Sequence, residues 1–179
     1  MKRSSSPAWL DDARWYYSLI GEGTAQPVSV FDATGRDEVS DESPGNLRLR
    51  LEPRSRYSPR VRILDADGHA AGVIRPEGII PGLRYAMLRD SDRGPAWQLS
   101  VRSLVRKRHT LTLAHGVTWT IDTPFFGTSW KGTVRGIPRL VGIVGPGWWG
   151  AWQIWIEPGW ESTELLAAVA FLHRQWSHM

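Results

Sequence analysis

Hydrophobic and polar positions change their period twice along this chain. From Ser6, Trp9, Ala13, Tyr16 and Ile20 recur at three- and four-residue spacing, with Asp11, Asp12, Arg14 and Ser18 between them. Ser6 suits an N-cap, Pro7 the first helical position and Gly21 a stop, so the spacing predicts a short accessory helix within residues 1–25, behind a loose tail. Beyond Gln26 the period becomes two. Val28 and Val30 alternate with Ser29, and Leu47, Leu49 and Leu51 alternate with Arg48, Arg50 and Glu52, the pattern of half-buried strands. Further strands are predicted at Val61 to Asp65, His69 to Arg75, Leu83 to Arg89, Ala96 to Ser103, His109 to Ala114, Val117 to Thr123, Trp130 to Arg135, Ile137 to Val144 and Gly150 to Glu157. Turn residues separate them, Asp67-Gly68 being the strongest hairpin signal. Nothing between Gln26 and Glu157 has a helical period, so parallel βαβ units are disfavoured and a barrel or sandwich is indicated.

The second change comes after Ser162. Leu165 to Leu172 is apolar on every side, and a helix of that kind must be enclosed. Eight residues at about 1.5 Å each are too short for a hydrocarbon core of about 30 Å. A core helix over 162–176, capped by Ser162, carrying Glu164 in its first turn and releasing Arg174 into water, fits better.

Composition narrows the chemistry. One domain suits 179 residues, and 41% apolar with 22% charged residues describes a chain with a real core. The absence of cysteine excludes disulfides, thiol catalysis and thiolate metal sites. No membrane-spanning run and no apolar signal segment are legible, which predicts a cytoplasmic protein, peripheral to a membrane at most. The formal charge of +4 favours an anionic partner, and 19 of the 22 basic residues are arginine.

Catalytic constellations fail one by one. Gly145-Pro146-Gly147-Trp148-Trp149-Gly150 has the literal dinucleotide spacing, but a strand follows it where a helix is required. Asp65-Ala66-Asp67-Gly68 would put Ile63 and Ile74 at calcium-ligand positions, so it is a hairpin turn. His109, His115, His173 and His178 lack metal-ligand spacing and are taken as surface or end-capping residues. No Gly-x-Ser-x-Gly elbow occurs. The expectation is no catalytic residue, no metal, no cofactor and no enzyme.

Two arginine clusters are the candidate anion site: Arg48, Arg50, Arg54, Arg56, Arg60 and Arg62, then Arg102, Arg106, Lys107 and Arg108. Planar guanidinium forks suit phosphate oxygens, although charged outward positions are also the ordinary state of a half-buried strand. Eleven tryptophans mostly fill the core, and alternation leaves Trp149 and Trp155 facing outward as candidates for a membrane interface.

The run Arg62-Ile63-Leu64-Asp65-Ala66-Asp67-Gly68-His69-Ala70-Ala71-Gly72-Val73-Ile74 resembles the early hairpin of the tubby-like superfamily, which includes tubby proteins, phospholipid scramblases and LURP-one-related proteins. Tyr85 to Asp90 is similar to that family's next strand and acidic turn, and Trp152 to Gly159 with the following helix to its last strand and buried helix. The resemblance covers roughly residues 26–178. It implies a single antiparallel barrel of about eleven or twelve strands around the C-terminal helix, occupying residues 26–179. Scramblase calcium-loop and palmitoylation features have no counterpart here, so scrambling does not carry over, and the phosphoinositide-binding basic pair of tubby proteins cannot be aligned. The resemblance implies a non-enzymatic module recognising anionic lipid at a membrane surface. A protein-interaction scaffold without a small ligand is the alternative. A nucleic-acid module using the same arginines is disfavoured, because the aromatic residues are not interleaved with them.

Overall fold

Strand edges need partners, and this chain solves the problem by closing its sheet on itself. A computed structural model describes residues 6–22, 25–40, 42–55, 58–80, 82–89, 94–103, 108–123, 129–145 and 150–177. Twelve strands are present among them: β1 Arg14–Ile20, β2 Val28–Asp32, β3 Asn46–Pro53, β4 Val61–Asp65, β5 Ala70–Pro76, β6 Arg84–Leu88, β7 Pro95–Ser103, β8 Arg108–Leu113, β9 Thr118–Asp122, β10 Ser129–Val134, β11 Ile137–Val144 and β12 Trp152–Ile156. Each pairs antiparallel with its chain neighbours, and β1 also pairs with β12, giving a closed up-and-down barrel.

The predicted strands from β2 to β12 are present with bounds shifted by at most two residues, and two of them, Val61–Asp65 and Ile137–Val144, match residue for residue. The N-terminal segment differs. Only Leu10–Asp12 forms a turn of 3-10 helix, and the rest of the expected accessory helix is β1. Trp15, Tyr16 and Tyr17 are strand-favouring residues, and β1 satisfies two edges at once, those of β2 and β12. Its period-two reading places Tyr16 and Ser18 inward, opposite Ile154 and Trp152. A weak helical spacing loses to a long-range pairing that no local pattern contains.

The interior is filled by one helix, α1 Thr163–Ser177. Ser162 caps it, its Oγ accepting the Leu165 N–H at 3.1 Å. Every side chain from Leu165 to Leu172 is buried, as its all-round apolarity requires. Strand residues such as Val30, Leu51, Ile63, Ile74, Leu99 and Ile121 close around it. Aromatic rings wedge the remaining space: Phe171 meets Tyr85 edge-on at 4.7 Å, and Trp130 lies 4.8 Å from Trp152. No helix among the described residues is long and apolar enough to cross a membrane.

Because the strands alternate in direction, the odd-to-even connections all gather at one end. Contacts of His173 with Gly150 and of Arg174 with Ser55 and Ser58 show that this is the end where α1 finishes. The corresponding ends of β3 to β8 form a continuous arc of rim.

Candidate functional site

Helix α1 does not release Arg174 into water. Arg174 is buried, its guanidinium Nη2 donating to the carbonyls of Ser55 at 3.3 Å and Ser58 at 3.5 Å. Burial pulls its pKa below the ordinary arginine range, and the neighbouring Tyr85 phenol is pushed up, mainly by burial. The long side chain carries its charge up to backbone carbonyls instead of to solvent, which is why the expected exposed helix end is not observed. The consequence is local: Arg174 fastens the connection between β3 and β4 to the core. Within that connection, Ser58 Oγ donates to the Arg60 carbonyl at 2.8 Å and accepts the Arg60 N–H at 3.3 Å.

Two adjoining surface depressions open above this anchor. One, of ≈ 540 Å³, is lined by Arg54, Arg60 and Arg62 with Glu52, Ser58 and Val73. The other, of ≈ 520 Å³, is lined by Arg60, Arg75 and Arg84 with Glu77 and Gly78. Arg60 belongs to both. The two acids are engaged elsewhere: Glu52 pairs with Arg50 at 3.4 Å, and Glu77 accepts from Gln98 Nε2 at 3.1 Å. Arg54, Arg60, Arg62, Arg75 and Arg84 form no ion pair among the described residues. Five planar cations around two depressions that share Arg60, against two carboxylates each held by another partner, present the donor geometry that phosphate oxygens fit.

The remaining candidates separate from this group. Arg48 and Arg50 stand on the outer wall of β3, Arg50 held by Glu52. Arg108 forks onto Asp122 at 2.6 and 3.2 Å, which raises its pKa and makes it a clamp between β8 and β9. Arg102 Nε donates to Thr110 Oγ1 at 3.2 Å. They lie toward the rim-side ends of β7 and β8, one and two strands beyond the depressions. Arg56, Arg106, Lys107 and Trp149 lie outside the described residues. Trp155 faces outward as expected but is half-buried, stacked on its register partner Trp15 at 5.9 Å with the rings nearly parallel. Cross-strand stacking covers the ring that was expected to face a membrane.

Arg75 and Arg84 are missing from the sequence-based set. They lie 15 and 24 residues beyond Arg60 in sequence. Only the antiparallel order, which sets β4, β5 and β6 side by side, brings the three to one rim.

Two further clusters are structural. Asp65 Oδ1 accepts the N–H groups of Asp67 at 3.0 Å and His69 at 2.8 Å, which holds the Asp65 carboxyl below the usual carboxylate range. Asp65, Asp67 and His69 thus come together as the stitching of the β4–β5 turn. His173, expected at the surface, is fully buried. Its Nδ1 lies 2.8 Å from Ser18 Oγ and its Nε2 3.1 Å from the Gly150 carbonyl. Since a carbonyl only accepts, Nε2 carries the proton and Nδ1 accepts from the Ser18 hydroxyl. Both partners of this Ser–His pair are sealed from solvent, so it ties α1 to the wall.

Compared with family models, curated proteins and solved structures, the chain matches none.

Proposed function

We propose that the chain is a non-enzymatic tubby-like domain that docks on anionic phospholipid headgroups through the rim formed by β3 to β6. The barrel closed around its C-terminal helix supports the tubby-like reading. The observation that carries the function is the pair of adjoining depressions whose arginines form no ion pair among the described residues, while Glu52 is paired with Arg50 and Glu77 is bonded to Gln98. An anionic bilayer supplies phosphate oxygens in a plane, and a rim at the end of a barrel can meet a plane with several residues at once.

Cosedimentation with phosphatidylcholine vesicles, with and without phosphatidylserine, tests this. The chain is expected on the anionic vesicles and not on the neutral ones, with retention falling as salt rises. Each basic residue near an anionic surface contributes about 1 kcal/mol, so Arg60→Ala and Arg84→Ala should each weaken association about fivefold. Equal retention on both vesicle types would overturn the reading. Selective, steeply salt-dependent retention on RNA or DNA would replace it with a nucleic-acid function.

A further inference from the structure

The connection between β5 and β6 carries the two most exposed large apolar side chains among the described residues. Ile79 is 100% exposed and Ile80 61%. Soluble surfaces show isolated apolar residues often, but two adjacent branched aliphatic chains displayed together in one loop are a different matter. On either side of them Gly78 and Gly82 both take φ +84°, the left-handed region that glycine enters freely.

Their position decides what they meet. The loop leaves the rim from Arg75 and returns at Arg84, the pair that with Arg60 lines the second depression. Ile137, the next most exposed, opens β11 beside the β10–β11 turn, at the opposite end of the barrel, and Ile143 lies on its outer wall. An apolar crest beside three cations complements a layer with anionic phosphates at its surface and hydrocarbon beneath. A protein pocket would have to match the crest in shape and also supply acids around it. A bilayer needs no shape match.

From this placement we infer that Ile79 and Ile80 form a wedge entering the acyl region of an anionic membrane while the rim arginines hold its phosphates. The inference rests on the headgroup reading above and adds the depth and orientation of docking: the rim end faces the bilayer, and the β10–β11 turn points away.

The cysteine-free chain makes the test direct. Ile79→Cys and, separately, Ile137→Cys are labelled with an environment-sensitive nitrobenzoxadiazole dye and mixed with phosphatidylserine-containing vesicles. The dye at 79 is expected to brighten, shift to the blue and be quenched by acyl-chain nitroxides, while the dye at 137 stays in water. Ile79→Ser/Ile80→Ser should lower vesicle affinity about tenfold or more, yet leave the binding of inositol hexakisphosphate, a soluble cluster of phosphates, unchanged. Sedimentation with the vesicles while the dye at 79 remains in water would overturn the wedge and leave headgroup docking standing. Failure to bind either vesicles or the soluble phosphate would overturn both.

Discussion

Replacing Gly142 with alanine or valine is expected to destabilise the barrel by about 3 kcal/mol or more, against the usual preference for a side chain in a strand. Gly142 sits on β11 directly opposite Trp130 of β10, and both point into the interior. The Trp130 indole lies across the glycine, so an added Cβ would fall within the ring. The ring has little room to retreat, because Trp130 is packed on Trp152, which is stacked on His173 at 4.6 Å. For a domain of this size, about 3 kcal/mol corresponds to a fall in Tm of roughly 6–12 °C. Thermal or urea unfolding reads it. Trp130→Leu should itself destabilise by leaving a cavity, yet Gly142→Ala should cost less in that background than in the native one. A native-like Tm for Gly142→Ala alone would show that the ring does not occupy that space.

Acid should weaken the fold through His173. Burial drives its pKa down to about 3 from 6.5, with only the Gly150 carbonyl acting the other way. In the unfolded chain the imidazole takes up a proton near pH 6.5, whereas in the barrel it stays neutral to about pH 3. Between those values the unfolded state binds more protons, so stability is full above pH 6.5 and declines as pH falls. The slope is about 1.4 kcal/mol per pH unit, and over the whole window the loss approaches about 5 kcal/mol, comparable with the total stability of many domains. Urea unfolding at pH 7 and pH 4 measures it. The native chain should lose about 3 kcal/mol over this interval from His173. In His173→Gln, whose amide can still hydrogen-bond, that part of the loss should vanish, whatever the variant's stability at pH 7. Identical acid slopes in the two proteins would refute the assignment.

Alternation made most of the barrel legible. A residue such as Leu49 or Ile63 declares its face by its neighbours alone, because the side-chain period of a strand is two. The enclosed helix was legible too, since eight apolar residues from Leu165 to Leu172 have no other place to go. What local pattern cannot hold is pairing between distant segments. β1 is a strand because β2 and β12 flank it, and the same residues alone carry a plausible helical stripe. The site follows the same rule. Arg54 and Arg60 stand in a conspicuous basic run, whereas Arg75 and Arg84 join them only through the lateral order of β4, β5 and β6. Arg174 and His173 read as helix-end polar residues, and their burial depends on which carbonyls and hydroxyls the closed barrel brings to them.

Closure between β1 and β12 also sets the order of events on the ribosome. β1 emerges long before β12, and α1, the filling of the barrel, emerges after both. Until then the nascent sheet is an open ribbon with its apolar face bare and two unpaired edges, the kind of species that self-associates and that chaperones retain. Synthesis interrupted before Thr163 yields a wall with nothing to close upon. The barrel therefore cannot be completed until α1 has been made, and closure is slow because its decisive contacts join the most distant elements.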